Sequence, residues 1–129
     1  MTIHRRNDSL VDLLSADLVA NQGELHLNHI AKAANYSAAK ESVIYATAGA
    51  GGIIVTLPLA VNNDGKTYAI MKIDAGVGAV TVACQGADTI HGSAACYIVD
   101  QYESWIVHSD GVDKWWTLAC CTNVCAQPA

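Results

Sequence analysis

Acidic residues beside glycine are the first candidates for chemistry in this sequence. Asp64 and Asp110 directly precede a glycine, and Asp74 and Asp88 lie close to one. Two such carboxylates could hydrolyse a glycosidic bond if they converged on one groove. Aspartate beside glycine is also typical of tight turns, because its side chain caps its own backbone and tolerates a positive φ. We favour turns for all of these aspartates and predict no catalytic residue among them.

Three cysteines near the C-terminus form a second group of reactive residues. Cys120, Cys121 and Cys125 are spaced C-C-x3-C, which lacks the C-x2-C pair that holds zinc in a tight knuckle. His91 or His108 could complete a four-ligand set, but we favour free thiols or a bond across a subunit interface formed after lysis. The total of five cysteines is odd, which does not suit a complete intrachain disulfide framework. We predict no metal and no cofactor.

The remaining histidines and cysteines have structural interpretations. His26 and His29 are three residues apart, but no further ligand has suitable spacing, so we expect exposed or edge-packed side chains. Cys84 and Cys96 occur in strand patterns and are expected to be small buried residues. The sequence contains no nucleophile elbow, no P-loop and no G-x-G-x-x-G pattern. We therefore predict that the protein is not an enzyme.

The composition is that of a folded domain with more apolar side chains than its core needs. Of the 129 residues, 52% are hydrophobic and only 15% are charged, and the mean hydropathy is +0.24. A chain of this length can bury a real core as a single domain. Because charged residues are scarce, we expect apolar patches that contact a partner or copies of the same chain. We predict a homo-oligomer.

The net charge of −5 argues against nucleic acid as a partner, since a phosphate backbone is bound by clustered basic residues. The adjacent basic pair, Arg5 and Arg6, is soon followed by aspartates. No stretch has the uninterrupted apolar length of a membrane span. The N-terminal apolar segment is interrupted by Asp12 and does not resemble a secretory signal. We expect synthesis in a reducing cytosol and no membrane partner.

The first 40 residues are expected to form an N-terminal arm or helix followed by a connector. Residues 7–20 carry apolar side chains at helical spacing, namely Leu10, Val11, Leu14 and Leu18. A short amphipathic helix and an extended arm that becomes ordered on a partner both fit this pattern. Residues 24–40 follow neither the helical nor the strand period, and we interpret them as the connector.

From Glu41 onward the sequence alternates short strand-forming runs with turns. We predict about eight strands, at residues 42–47, 53–57, 67–73, 80–82, 89–90, 95–99, 103–108 and 114–118. The strongest turn signal is the Asn-Asn-Asp-Gly run at residues 62–65. This spacing predicts an all-β fold, a compact antiparallel β-sandwich or barrel. The predicted β-domain spans residues 41–118, and residues 119–129 are expected to form a flexible tail.

Aromatic residues near the end of this domain are candidates for binding. They are Tyr102, Trp105, Trp115 and Trp116, which could form a subunit interface or a platform on which a sugar stacks. Trp115 and Trp116 must point to opposite faces if they share a strand. One of the two is therefore expected in the core and the other against a neighbour or solvent. For the aromatic residues as a group we favour subunit contact or a plain core position over sugar binding.

The order of several motifs resembles a β-module of tailed-bacteriophage virion proteins. The motifs are VTLPLA at 55–60, GKTYAIMKID at 65–74, VTV at 80–82, ADTIHGSA at 87–94, QYESWIVHSDG at 101–111 and KWW at 114–116. The likeness covers residues 41–118. His91 stands where such modules commonly have an acidic residue, and the doubled tryptophan and cysteine-bearing tail are further departures. The resemblance implies a structural protein of a virion.

Among virion proteins, the length favours a capsid decoration (cement) protein, because the sequence has neither the heptads nor the triple-helix period of a fibre shaft. Such a protein, made in the host cytoplasm, would bind the major capsid protein on the outer capsid surface as a homotrimer. The expected capsid-binding residues of the arm are Ile3, Arg5, Arg6, Leu10, Val11, Leu13, Leu14 and Leu18. The alternative is a tail-fibre adaptor or a carbohydrate-binding module with Trp116 as its platform.

Overall fold

The computed structural model describes residues 26–120, which form β-strands and one short 3-10 turn. The strands are β1 (His29–Lys32), β2 (Tyr36–Ser37), β3 (Val43–Ala46), β4 (Ile53–Thr56), β5 (Thr67–Lys72), β6 (Val80–Ala83), β7 (Thr89–Ile90), β8 (Ala95–Ile98), β9 (Ser104–Ser109) and β10 (Lys114–Cys120), and the 3-10 turn is Ala60–Asn62. No helix among these residues has the length and apolar character needed to cross a membrane. The prediction of an all-β fold is confirmed.

Each of the predicted strands corresponds to one of β3 to β10, but the predicted start of the β-domain is wrong. β1 and β2 lie within residues 24–40, which we predicted to be a connector, and they pair with β3 and β4. At its other end, β10 extends to Cys120, into the predicted tail. β1 and β2 are short edge strands in which no side chain is fully buried, so their sequences lack the run of apolar residues that marks a strand.

The first six strands alternate between two sheets. β1, β3 and β5 pair in parallel in one sheet, and β2, β4 and β6 pair in parallel in the other. The chain thus winds back and forth between the sheets, and each pass adds one strand to each of them.

The last four strands complete the two sheets with mostly antiparallel pairs. β8 pairs with β6, and β9 pairs with β5 and with β10, all antiparallel, while β7 pairs in parallel with β10. The large sheet has the order β1-β3-β5-β9-β10-β7, and the small sheet has the order β2-β4-β6-β8. The register between β9 and β10 shifts between Thr117 and Ala119, as it does at a β-bulge.

The predicted antiparallel arrangement is wrong, because both sheets mix parallel and antiparallel pairs. The Asn-Asn-Asp-Gly turn shows the reason. It does reverse the chain, with Gly65 at φ 79°, but it connects β4 of the small sheet to β5 of the large sheet rather than joining a hairpin. Turn residues determine the local backbone conformation and not which strand the next segment pairs with.

One hydrophobic core lies between residues from both sheets. Its largest fully buried apolar side chains include Ile44, Tyr68, Ile70, Val107 and Trp115 from the large sheet and Val55, Val80, Val82 and Ile98 from the small one. Along β5 the burial alternates residue by residue, as it must for a strand with one face on the core. Each such side chain contributes about 1.5–3 kcal/mol of transfer free energy when buried.

A buried lysine fixes the turn between β5 and β6. Lys72 is fully buried, and its Nζ donates hydrogen bonds to the carbonyl oxygens of Asp74 and Gly76, each at 2.7 Å. The Asp74 carboxylate lies 3.4 Å from the same Nζ. It accepts the N–H groups of Ala48, Gly49 and Gly76 at 2.9, 3.0 and 3.1 Å. These bonds, with that from Ala48 the largest cause, lower the pKa of Asp74 to about 2.

The same turn packs closely against the turn between β3 and β4. A Cβ on Gly78 would lie 2.3 Å from the backbone nitrogen of Gly52, and one on Gly76 would lie 2.6 Å from the carbonyl oxygen of Gly49. No other residue type fits such an approach without moving the backbone. The Lys72–Asp74 pair and these glycines therefore hold the two turns together at one end of the core.

Candidate binding surfaces

Two of the four predicted platform residues face the interior. Trp115 is fully buried, with its ring centroid 5.6 Å from that of Tyr68, so it is the one of the two adjacent tryptophans that lies in the core and it cannot belong to a surface platform. Trp105 is half-buried and packs against the core. The indole nitrogens of both residues are buried without a hydrogen-bond partner among the described residues. Strand alternation places Trp105 and Trp115 on the inner face of the large sheet.

Trp116 lies on the opposite, outer face of the large sheet and is 46% exposed, which confirms that the two adjacent tryptophans point in opposite directions. Its ring meets His91 edge to face at a centroid distance of 6.3 Å, and its strand neighbour on β9 is His108. The indole also donates a hydrogen bond to the carboxylate of Asp110. These contacts hold the ring in one position while leaving a face open to solvent.

Asp110 itself is fixed by its own turn. Its Oδ1 accepts the N–H groups of Val112, Asp113 and Lys114 at 2.8, 3.1 and 3.1 Å. These bonds, led by the one from Val112, lower the pKa of Asp110, and the bond from Trp116 adds to the effect. The turn and the exposed tryptophan therefore form one ordered unit.

Tyr102 is exposed but lies far from Trp116. Its N–H donates to the carbonyl oxygen of Lys72, at one end of β5, whereas Trp116 lies beside His108, which pairs with Thr67 at the other end. At ~3.3 Å per residue the two ends of β5 are about 17 Å apart. The predicted platform of four aromatic residues is therefore wrong, and Trp116 and Tyr102 belong to separate parts of the surface.

The outer face of the large sheet has a row of apolar residues across its middle strands β3, β5 and β9, with Thr67, Ser104 and His108 as the polar residues on the same face. The strand register places Val43 beside Ala69 and Ala69 beside Ile106, and it places Tyr45 beside Met71. Residues of these strands on this face are half-buried or exposed, and none is aspartate, glutamate, lysine or arginine. An apolar row of this kind in water is typical of a contact surface.

The outer face of the small sheet carries a cleft of about 450 Å³. Its lining residues are Asn35, Gly51, Gly52, Ile53, Ile54, Ala79, Thr81 and Tyr97. Ile54, Thr81 and Tyr97 are direct neighbours across β4, β6 and β8. The cleft was not predicted, because these three residues are far apart in the sequence and come together only through the register of three strands.

Glu41 is a buried carboxylate whose contacts serve the structure of its loop. Its Oε2 accepts the N–H of Ala39 at 2.9 Å, and the Tyr36 hydroxyl donates to it. Burial tends to raise the pKa of Glu41, but these hydrogen bonds outweigh it and lower the pKa. Nearby, the Tyr68 hydroxyl donates to the carbonyl oxygen of Ala39, and burial raises the pKa of Tyr68 to about 12. Neither group has the near-neutral pKa that suits a general acid or base.

The cysteines differ in state along the chain. Cys84 and Cys96 are free and pack in or against the core, and burial raises their pKa values to about 11 and about 12. Their thiols stay protonated at neutral pH, as expected for small core residues. Cys120 is disulfide-bonded, and Cys121 and Cys125 lie outside the described residues. Between residues 26 and 120, no group of three or more His, Cys, Asp or Glu side chains is placed to hold a metal ion.

The predicted capsid-binding residues of the arm, Ile3, Arg5, Arg6, Leu10, Val11, Leu13, Leu14 and Leu18, all lie outside the described residues. The comparison with known proteins found no relative: neither a protein-family model nor a curated protein matches the chain. The function therefore has to be inferred from the motif order and from the surfaces of the β-domain.

Proposed function

We propose that this chain is a non-enzymatic structural protein of a virion, a capsid decoration protein that binds the outer capsid surface as a homotrimer and stabilises it. The order of motifs from VTLPLA to KWW supports the virion. The observation that carries the self-association is the outer face of the large sheet, which lacks Asp, Glu, Lys and Arg across β3, β5 and β9 and has an apolar row of Val43, Ala69 and Ile106.

The apolar row supplies a driving force for association. Removing apolar surface from water contributes roughly 25 cal/mol for each Å² that is buried. The outer face of these central strands carries no Asp, Glu, Lys or Arg, so association through it buries no unpaired charge, which would oppose binding. Once copies associate, several small contacts with a capsid act together, so a trimer binds far more tightly than one chain.

The finer architecture that we propose is a β-sandwich in which the two sheets face each other across the common core. The shared cluster of buried residues, to which β3, β5, β9 and β10 contribute on one side and β4, β6 and β8 on the other, supports this arrangement. A rigid body of this kind suits a protein that acts by fitting against other surfaces.

The N-terminal arm, residues 1–20, is the proposed capsid-binding segment. Its apolar residues, among them Leu10, Leu14 and Leu18, would supply contact area, and Arg5 and Arg6 would supply positive charge on an acidic chain. The chain enters the described body at β1, an edge strand of the large sheet, which supports attachment of the arm at the rim of the body.

Deletion of residues 2–20 tests the proposal. We expect the shortened chain to fold and to keep the oligomeric state of the full chain, because the apolar row lies in the β-domain. We expect it to lose binding to phage heads that lack the decoration protein, measured by co-sedimentation. A shortened chain that sediments with heads as well as the full chain does would contradict the role of the arm.

A carbohydrate-binding module of a tail fibre is the second candidate function. It is favoured by Trp116, whose ring is held by Asp110 and His91 with one face exposed. The neighbouring pair of Thr67 Oγ1 and His108 Nδ1, 2.9 Å apart, places polar groups next to the ring. An indole with polar neighbours is suited to stacking against a sugar.

A further inference from the structure

We propose that the cleft on the outer face of the small sheet is a binding site for a neutral pyranose, the terminal sugar of a glycan. The site is distinct from Trp116, which lies on the other sheet. It also goes beyond the proposed capsid-binding function, since it requires neither the arm nor the apolar row of the large sheet.

Tyr97 supplies the stacking surface. It lies on β8, an edge strand of the small sheet, and it is 60% exposed although its neighbours Cys96 and Ile98 are buried in the core. Ile54, which is 42% exposed, lies in the same cross-strand row with Thr81 between the two. The buried neighbours fix the backbone at Tyr97, and a tyrosine ring has only two χ angles to order when a ligand binds.

Hydrogen-bonding groups line the same cleft. Asn35 Oδ1 accepts the N–H of Ile54 at 2.9 Å, which fixes the side chain and leaves its Nδ2 amide as a donor. Thr81, whose hydroxyl can both donate and accept, lies in the cross-strand row between Ile54 and Tyr97. Gly51 adds backbone without a side chain, and a Cβ there would meet no atom within 4 Å, so a ligand can approach the main chain closely at this point.

The chemistry of the lining selects the class of ligand. None of the eight lining residues is charged, which disfavours phosphates, carboxylates and amines. The cleft is open to solvent, whereas sites for largely apolar ligands bury most of the ligand surface. A pyranose has one apolar face that stacks on an aromatic ring and a rim of hydroxyl groups that pair with amides and hydroxyls. It matches a tyrosine, an asparagine and a threonine around an open cleft.

A titration followed by NMR tests the site. The full chain, labelled with ¹⁵N, is titrated with the methyl glycosides of glucose, galactose and mannose and with N-acetylglucosamine, each to tens of millimolar. We expect at least one sugar to shift the amide signals of Thr81, Tyr97 and the Gly51–Gly52 turn. Tyr97→Ala should weaken this binding about tenfold or more through loss of stacking.

Matched variants separate binding from misfolding. Thr81→Val keeps the shape of the side chain and removes its hydroxyl, and Asn35→Asp keeps the acceptor for Ile54 while removing the amide donor. Both should weaken binding with little change in the rest of the spectrum, and Leu118→Ala, at an exposed position on the large sheet, should leave it unchanged. The proposal is overturned if no sugar shifts these signals, if the shifts survive Tyr97→Ala, or if they cluster around Trp116 instead.

Discussion

At the scale of single residues, the most constrained point is the contact between Lys72 and Asp74. A fully buried ammonium is stable only when paired and hydrogen-bonded, and here one carboxylate and two carbonyl oxygens surround it. The carboxylate in turn accepts three backbone N–H groups from two different turns. The Lys-Ile-Asp sequence thus forms a clamp, meaning that Lys72 and Asp74 hold the β3–β4 turn against the β5–β6 turn. No residue pattern in the sequence indicates this role by itself.

The clamp makes the protein sensitive to acid. Because the folded-state pKa of Asp74 is lowered to about 2, its contribution to stability is complete near neutral pH and is lost as the pH falls through the range from about 4 to about 2. Asp74→Asn should lower the thermal midpoint at pH 7 by several degrees and flatten the loss of stability over that range. Calorimetry from pH 7 to pH 2 measures both effects.

The matched control is Asp113→Asn, since Asp113 is about half exposed and pairs only with Lys114 through its side chain in the described part of the chain. This variant should keep the midpoint and the acid sensitivity of the wild type. Equal behaviour of the two variants would show that Asp74 has no special role in stability.

Residue patterns predicted the positions of the aromatic side chains only in part. The alternation of a strand was enough to predict that Trp115 and Trp116 face opposite ways. It could not predict that Trp115 packs against Tyr68, or that Tyr102 and Trp116 lie at opposite ends of the large sheet. Both facts depend on the pairing of β5 with β9, which joins segments more than 30 residues apart.

At the scale of elements, the sequence predicted where strands form and not how they pair. Runs such as Thr67–Lys72 are rich in β-formers and bounded by turn residues, and the structure has strands there. β3 and β5 pair in parallel, although β4, which lies between them in the sequence, belongs to the other sheet. The sequence around each strand carries no signal for such a pairing. The short edge strands β1 and β2 were missed for the related reason that pairing, more than their own sequence, makes them strands.

Hydrogen exchange tests this order of strands. β5 and β9 lie in the interior of the large sheet and contribute Tyr68, Ile70 and Val107 to the core, so their amides should exchange slowest. Amides of β1 and β2, at the edges, should exchange faster by orders of magnitude after correction for intrinsic rates. Equal protection of β1 and β5 in the isolated chain would contradict the edge position of β1.

At the scale of the whole molecule, one core serves two sheets, and each sheet turns an outer face with apolar residues toward solvent. On the large sheet that face is uncharged across three strands, and on the small sheet it forms the cleft at Tyr97. The low charged fraction of the chain, 15%, is thus reflected in its surfaces as well as in its core. We infer that the molecule works through contacts made by these faces, with copies of itself and with a larger shell.

The molar mass in solution, measured by multi-angle light scattering, tests the central claim of self-association through the large sheet. The wild type should have three times the 13.6 kDa mass of the chain. Ile106→Lys, which places a charge in the apolar row, should give a folded monomer, and Ile54→Lys, on the outer face of the small sheet, should remain a trimer. A monomeric wild type, or an Ile106→Lys variant that is still trimeric, would contradict the claim.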